Sequence, residues 1–244
     1  MFAPCKIKNM ASDYHYPGEE LELFRHAWKW KQYVGDKLRP YIRGDVLEVG
    51  AGIGETAKYL VSDATDHWTF VEPDKRLMER LESNIRHANL PVPYTTVCGY
   101  MTDLRAQLSF DTILYIDVLE HIKDDRSELL KTVSYLRTEG RLIVLGPAHQ
   151  SLYSEFDRAL GHYRRYSKRS LRNAAPDLFE EKIFYLDSAS ILLLWLNKYL
   201  LKKPRPTKWD IQIWQSVFLS MSKALDKILS YRTGKSIVAI WRKT

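Results

Sequence analysis

Short apolar runs alternate with helical spacing between residues 46 and 146, and this alternation constrains the fold more than any other feature of the chain. Segments 46–49, 68–71, 94–97, 112–116 and 141–145 read as strands, and 55–62, 75–87 and 125–136 read as helices. Parallel strands cannot be joined by tight hairpins and need a crossover, usually helical. Repeated strand–helix–strand units therefore predict a parallel sheet covered by helices on both faces. Upstream, residues 1–18 are polar and turn-rich, and 19–39 carries helical spacing closed by Pro40. Downstream, 147–172 reads as an irregular insert, with strands expected at 180–186 and 236–241. Between those strands lies a helical pair, about 189–203 and 209–231, separated by a Lys-Lys-Pro-Arg-Pro-Thr corner. The expected organisation is an N-terminal segment over 1–40 that can act as a lid, a main domain over 41–188 and 232–244, and an inserted helical cap over 189–231.

Charge follows the same division. The 244 residues carry a net +7, but residues 189–244 alone hold 11 Lys/Arg against Asp210 and Asp226, a net of +9. The rest is close to neutral. Such asymmetry suits a phosphate-rich or anionic-surface partner, or else a solvated basic face. At 45% apolar and 27% charged, the composition is that of a soluble globular protein and excludes full-chain disorder. Two cysteines, Cys5 and Cys98, can build neither a disulfide framework nor a cysteine-based zinc site, and no metal set is expected. Residues 191–201 are too short and too polar, with Asn197 and Lys198, to span a bilayer. A cytoplasmic monomer or homodimer is expected, with peripheral contact at the inner membrane face open.

The strand at 46–49 runs into Gly50-Ala51-Gly52-Ile53-Gly54. Ligands of open α/β sheets bind at the carboxyl ends of the strands, where glycines let the backbone approach them. The spacing G-x-G-x-G departs from the dinucleotide G-x-G-x-x-G, and Glu55 stands where the third glycine is needed. A carboxylate there repels a pyrophosphate, which argues against a nicotinamide oxidoreductase. No Gly-Lys-Ser/Thr follows, so a Walker A loop is absent. Glu48, two residues before the first glycine, suits a ligand with a cationic group. Glu72, ending the second strand before Pro73, can accept hydrogen bonds from ribose hydroxyls.

Glu48-Val49-Gly50-Ala51-Gly52-Ile53-Gly54, then Val71-Glu72-Pro73-Asp74, then Tyr115-Ile116-Asp117-Val118-Leu119-Glu120-His121-Ile122 resembles class I S-adenosylmethionine (SAM)-dependent methyltransferases over about 40–146. The resemblance implies a Rossmann-like seven-stranded sheet of order 3-2-1-4-5-7-6, strand 7 antiparallel, here with a helical insertion between strands 6 and 7. It also implies SAM as cofactor and S-adenosylhomocysteine as product. Gly50, Gly52 and Gly54 would pass the cofactor backbone and Glu72 its ribose. Tyr100 and Met101 would lie against adenine and Asp117 near the methionine amine. Glu120 is also readable as a helix N-terminal acid, and His121 as a packed histidine.

After the fifth strand, Pro147-Ala148-His149, Leu152-Tyr153, Phe156-Asp157 and Gly161-His162-Tyr163-Arg164-Arg165-Tyr166 resemble a bacterial subgroup associated with cell-surface glycan and polyprenyl-phosphate pathways. Tyr153, Tyr163, Arg164, Arg165 and Tyr166 are the candidate acceptor-binding residues. His149, then His162, are the candidate bases, with Asp157 orienting or acting as base and His121 a further candidate. The expected acceptor is a small or lipid-linked, anionic glycan or metabolite. RNA or DNA comes second, without the Asn/Asp-Pro-Pro-Tyr/Phe or Pro-Cys segments that many nucleic-acid methyltransferases use. A non-catalytic SAM-binding, membrane-docking protein remains a third class.

Overall fold

A computed structural model describes residues 15–16, 20–175, 177–201 and 206–244, the side chains of 20, 200 and 201 excepted. Most of the proposed 1–18 lid and the 202–205 part of the proline corner lie outside the described residues. The chain runs α1 (Glu20–Phe24), α2 (Trp28–Leu38), β1 (Gly44–Val49), α3 (Ala57–Leu60), β2 (Thr65–Glu72), α4 (Lys75–Ala88) and β3 (Tyr94–Cys98). It continues through β4 (Phe110–Ile116), α5 (Asp125–Ser134), β5 (Leu136–Pro147), α6 (Glu155–Ala159), α7 (Lys168–Ala174) and β6 (Phe179–Leu186). The insertion forms α8 (Ser190–Leu196), α9 (Lys208–Ile213) and α10 (Leu219–Ile228) before β7 (Ser236–Arg242). The sheet order is β3-β2-β1-β4-β5-β7-β6, and β7 is antiparallel to both neighbours. This is the Rossmann-like methyltransferase fold.

Central strands are buried on both faces, so successive residues feed two separate cores. Val46 on β1 joins Trp68, Phe70, Leu114, Ile143 and Ile240 on one face. Leu47 and Val49 join Val71, Ile113, Tyr115, Val144 and Trp241 on the other. The first face also receives Trp30, Tyr33, Val34 and Leu38 of α2 together with Ile211, Trp214 and Leu219 of the insertion. The insertion therefore shares a core with the body. No helix among the described residues is long and apolar enough to cross a membrane.

Two buried acids fasten the insertion. Asp226 on α10 accepts from Tyr33 Oη at 2.7 Å and from the backbone N–H groups of Asp187 and Ser188 at 2.8 and 2.9 Å. Asp187, held at φ 64°, accepts from Ser190, Ser222 and the Trp214 indole. Both are fully buried, where unpaired polar groups are costly, so the donors and acceptors specify how the helices dock.

The expected 19–39 helix is instead two, broken at 25–27, where Arg25 turns out to pair with Glu55. The 55–62 helix contracts to four residues because Val61 already leaves in an extended conformation toward β2. Strand 141–145 begins earlier, at Leu136, which pairs with Phe110, while Glu139 takes φ 62° beside Gly140. Each half of the insertion carries a π turn, at Asn197–Leu201 and Trp214–Phe218. Periodicity cannot show these, since a π turn adds one residue without changing composition.

Candidate active site

A cavity of about 670 Å³ opens above the carboxyl ends of β1, β2, β4 and β5. Ligand pockets typically measure about 300–1,000 Å³. One end is built by the glycine turn. All three glycines have positive φ, but they serve different ends. A Cβ on Gly50 would meet both Val118 methyls at 2.8 Å, and one on Gly54 would meet Leu81 at 3.0 Å and Ile85 at 3.3 Å. Those two glycines let the turn pack against its own fold. Within 4 Å, a Cβ on Gly52 would meet only Leu21, from 3.6 Å outward, so Gly52 borders the open space.

Glu72 sits beside that turn. Its Oε2 accepts from Gly52 N–H at 2.8 Å and its Oε1 from Asp74 N–H at 2.9 Å. Burial pushes its carboxyl up to about 7 against these donors. Each oxygen keeps a further lone pair, as an acceptor for two adjacent hydroxyls requires. Glu48 is buried, lines the cavity, and accepts from the Trp68 indole at 2.9 Å. Burial pushes it up to about 8 despite that bond. Asp117, at φ 54°, also lines the cavity, where it is exposed. The two buried carboxyl groups, Glu48 and Glu72, are costly as anions and suit a cationic ligand, which returns the lost solvation. Pro73 and Tyr100 line the same end, Tyr100 half-exposed. Met101 also borders it, but its sulfur turns inward to the hydroxyls of Tyr115 and Thr132, each at 3.3 Å.

The state of Glu48 makes a testable contribution. The folded chain favours the neutral acid, so the stability tied to it is full below about pH 4.5 and is lost as pH rises through about 8. Glu48→Gln fixes the neutral form. Its ligand-free stability relative to wild type is expected to rise between pH 5 and 8, by on the order of 4 kcal/mol. Urea unfolding at both pH values measures this; a constant difference would refute it.

The other end of the cavity is organised around Asp157, which α6 buries. Arg165 donates through Nε and Nη2 to its two oxygens at 2.8 and 3.0 Å, and Ser154 N–H and Oγ donate to Oδ2. Burial pushes the Asp157 carboxyl up, but His162, Arg165 and Ser154 together outweigh it and hold it at about 2. His162 Nδ1 lies 3.1 Å from Asp157 Oδ1. An ionised carboxylate only accepts, so the shared proton sits on Nδ1. The His121 ring meets the His162 ring edge-on at 4.6 Å and that of Tyr16 at 5.5 Å. Burial, then His162, hold His121 down to about 3.

Several predicted residues lie elsewhere. His149, first among the candidate bases, does not line the cavity; at φ 63° its ring stacks on Tyr185 at 5.1 Å, and burial lowers its pKa. Of the two candidate bases, His162 is the one that lines the cavity, held beside Asp157. Of the five acceptor candidates, only Arg165 lines the cavity. Tyr153 donates to the His162 carbonyl, and Tyr166 is buried on Asp125. Arg164 binds the Ile122 and Lys123 carbonyls, with Tyr163 exposed beside it. Packing of 147–167 back onto the loop after β4 uses them up.

Sequence reasoning missed Lys31 and Lys235. Both line the cavity, where burial lowers their pKa, that of Lys31 to about 8. The Lys235 ammonium lies 3.3 Å from Asp187 and 3.4 Å from the Trp214 ring centre. The available signal was the Gly-Lys step just before the last strand. Leu21, Phe24 and Trp30 from the N-terminal helices, and Leu194 and Trp214 from the insertion, add apolar groups to the cavity lining.

Residues 46–140 match the protein family described as a methyltransferase domain. A curated relative, the tRNA U34 carboxymethyltransferase of Shewanella halifaxensis, is 25% identical over 188 residues, covering 76% of this chain and 52% of that protein. The chain thus spans about half the length of that relative. Among solved structures, a geranyl diphosphate methyltransferase in complex with SAM superposes with TM-score 0.62 at 14% identity, covering 96% of each chain. A coclaurine N-methyltransferase superposes with TM-score 0.59 at 16% identity, covering 89% of this chain and 72% of that one. Both are likenesses of fold.

Proposed function

The chain carries a methyltransferase domain of the S-adenosylmethionine-dependent class, and from that premise we propose that it methylates a small or lipid-linked acceptor joining an anionic group to an apolar body. The observation that carries the reading is the mixed lining of the cavity. Glu48, Glu72 and Asp117 share it with Lys31, Lys235 and Arg165 and with the apolar Trp30, Leu194 and Trp214. SAM, when bound, supplies an already activated methyl group on a cationic sulfonium. Glu72 holds the ribose hydroxyls, and Glu48 and Asp117 stabilise the cationic portion. The lysines and Arg165 attract an anion, and the aromatic wall receives an apolar body and excludes water. Orientation then supplies most of the acceleration, because the acceptor atom must reach about 3 Å from the methyl in line with the bond that breaks. For an oxygen acceptor, His162 takes the proton and Asp157 holds the ring in place.

Two predictions follow from these assignments. Gly52→Ala puts a methyl group into the cofactor space and is expected to weaken S-adenosylhomocysteine binding about tenfold or more, whereas Gly54→Ala mainly destabilises, by about 2 kcal/mol. Calorimetric binding and thermal unfolding separate the two; equal effects would sink the distinction. His162→Gln is expected to lower turnover about 100-fold with S-adenosylhomocysteine affinity within about threefold, while His149→Asn leaves turnover within about threefold. Equal losses would return His149 to the site.

The acceptor class is tested by incubating the protein with methyl-labelled SAM and cell extract. Label in an organic-soluble, acidic product is the expected result. A second reading, an RNA acceptor, is favoured by the relative that acts on tRNA, and label in tRNA would establish it. Intact S-adenosylhomocysteine binding without any labelled product would support a non-catalytic role. Exposed Leu192, Trp195, Trp209, Ile213 and Met221, with Lys198, Lys208 and Lys223 on the same helices, support contact of the insertion with an anionic lipid surface. Binding to phosphatidylglycerol vesicles that falls with salt, and none to neutral vesicles, is expected.

A further inference from the structure

We propose that Glu120, His121 and His162 form a binding site for one divalent transition-metal ion, open to the acceptor side of the cavity. One ligand atom from each residue lies within 4.8 Å of the others. All three residues line the cavity.

Three observations point to an ion rather than to a packed polar cluster. Glu120 is 1% exposed, yet its Oε2 has no hydrogen-bond partner. A stranded buried carboxyl oxygen is costly, and such groups in native structures often mark an ion or water site. His162 already spends one ring nitrogen on an orienting partner, Asp157. Metal-bound histidines are almost always held this way, by a carboxylate or a backbone carbonyl on the other nitrogen. Finally, the Asp157 carboxylate is itself clamped by Arg165, so the His162 ring is fixed before any ligand arrives.

The donor set selects the ion. Two imidazoles and one carboxylate suit zinc, manganese or iron better than magnesium or calcium, which favour oxygen ligands. With bonds of about 2.1 Å in a tetrahedral set, ligand atoms lie about 3.4 Å apart, so loading from separations of up to 4.8 Å draws the set inward by up to about 1.4 Å. Three protein ligands leave a position for water or substrate. That position faces the cavity that also holds Lys235 and Arg165. An acceptor oxygen bound there would become more acidic and be fixed in place; with the ion loaded, His162 Nε2 would be a ligand rather than the base, and the proton would leave to solvent water. This role rests on the methyl-transfer reading; the binding of the ion does not.

The test uses the full chain stripped with a chelator, dialysed against Zn2+ or Mn2+, and assayed for metal by elemental analysis. The expected result is one ion per chain in wild type and at least a 100-fold weaker affinity in His121→Gln/His162→Gln. Asp157→Asn, which keeps all three ligands, is expected to weaken metal binding by about 10–100-fold. Co2+ added to the wild-type chain is expected to give a visible absorption band that Zn2+ abolishes, a readout that does not depend on how the variants fold. S-adenosylhomocysteine affinity is measured on the same samples: its absence in wild type would defeat the methyltransferase reading while leaving the metal result to stand. No ion in wild type above the level of the double variant, or a Co2+ spectrum identical to the aqueous ion, overturns the proposal.

Discussion

Glu72→Ala is expected to weaken S-adenosylhomocysteine binding by at least about 100-fold. Two hydrogen bonds from ribose hydroxyls to a charged acceptor are worth about 1.5–3 kcal/mol each, together about 10²–10⁴ in affinity. The substitution also strands the N–H groups of Gly52 and Asp74, which the carboxyl now holds at 2.8 and 2.9 Å. Glu72→Gln separates the two effects. It keeps the side chain's size and one accepting oxygen, and is expected to lose about tenfold. Isothermal titration of both variants, with thermal unfolding as a control, decides the matter. Unchanged affinity in the alanine variant would mean that the cavity end beside the glycine turn does not hold the cofactor.

The second large effect concerns stability. Asp226→Ala removes the shared acceptor of Tyr33 Oη and of the Asp187 and Ser188 N–H groups, all buried. A buried donor without a partner costs about 1–3 kcal/mol. A loss of about 4 kcal/mol is expected, or roughly 10 °C in melting temperature for a chain of this size. Tyr33→Phe removes only one donor and should cost about 1 kcal/mol. A loss below about 1 kcal/mol for Asp226→Ala would show that the insertion docks through its apolar contacts alone. Ile211, Trp214 and Leu219 are those contacts, and they stand in the same core as Trp30 and Val34.

The sheet was legible because its strands are buried on both faces, and such strands must be runs of apolar residues wherever they occur. The end of the cavity where we place the cofactor was legible in position for a related reason. Glu48, the glycines and Glu72 are adjacent to strand ends, so the local sequence fixes where they emerge. The acceptor end was not. Arg164 and Arg165 are neighbours of one residue type, yet one binds backbone carbonyls and Asp125 while the other clamps Asp157 beneath the cavity. His149 and His162 are equally plausible bases on paper. Only the path of the loop puts one against Tyr185 and the other against Asp157.

The charge asymmetry divides in the same way. The sequence by itself determined that the last 56 residues carry the basic excess and that the body is near neutral. Tertiary structure decided what individual charges do there. Lys235 is drawn inward to Asp187 and the cavity, Asp226 becomes a buried anchor, and Trp209 and Trp195 remain exposed on the insertion while Trp214 lines the cavity. The physical reason is range. Periodicity and turn chemistry are set by residues a few positions apart and can be read along the chain. The chemistry of the cavity depends on groups brought together from Lys31, Glu120, His162 and Lys235, whose meeting is fixed by packing on two faces of one sheet.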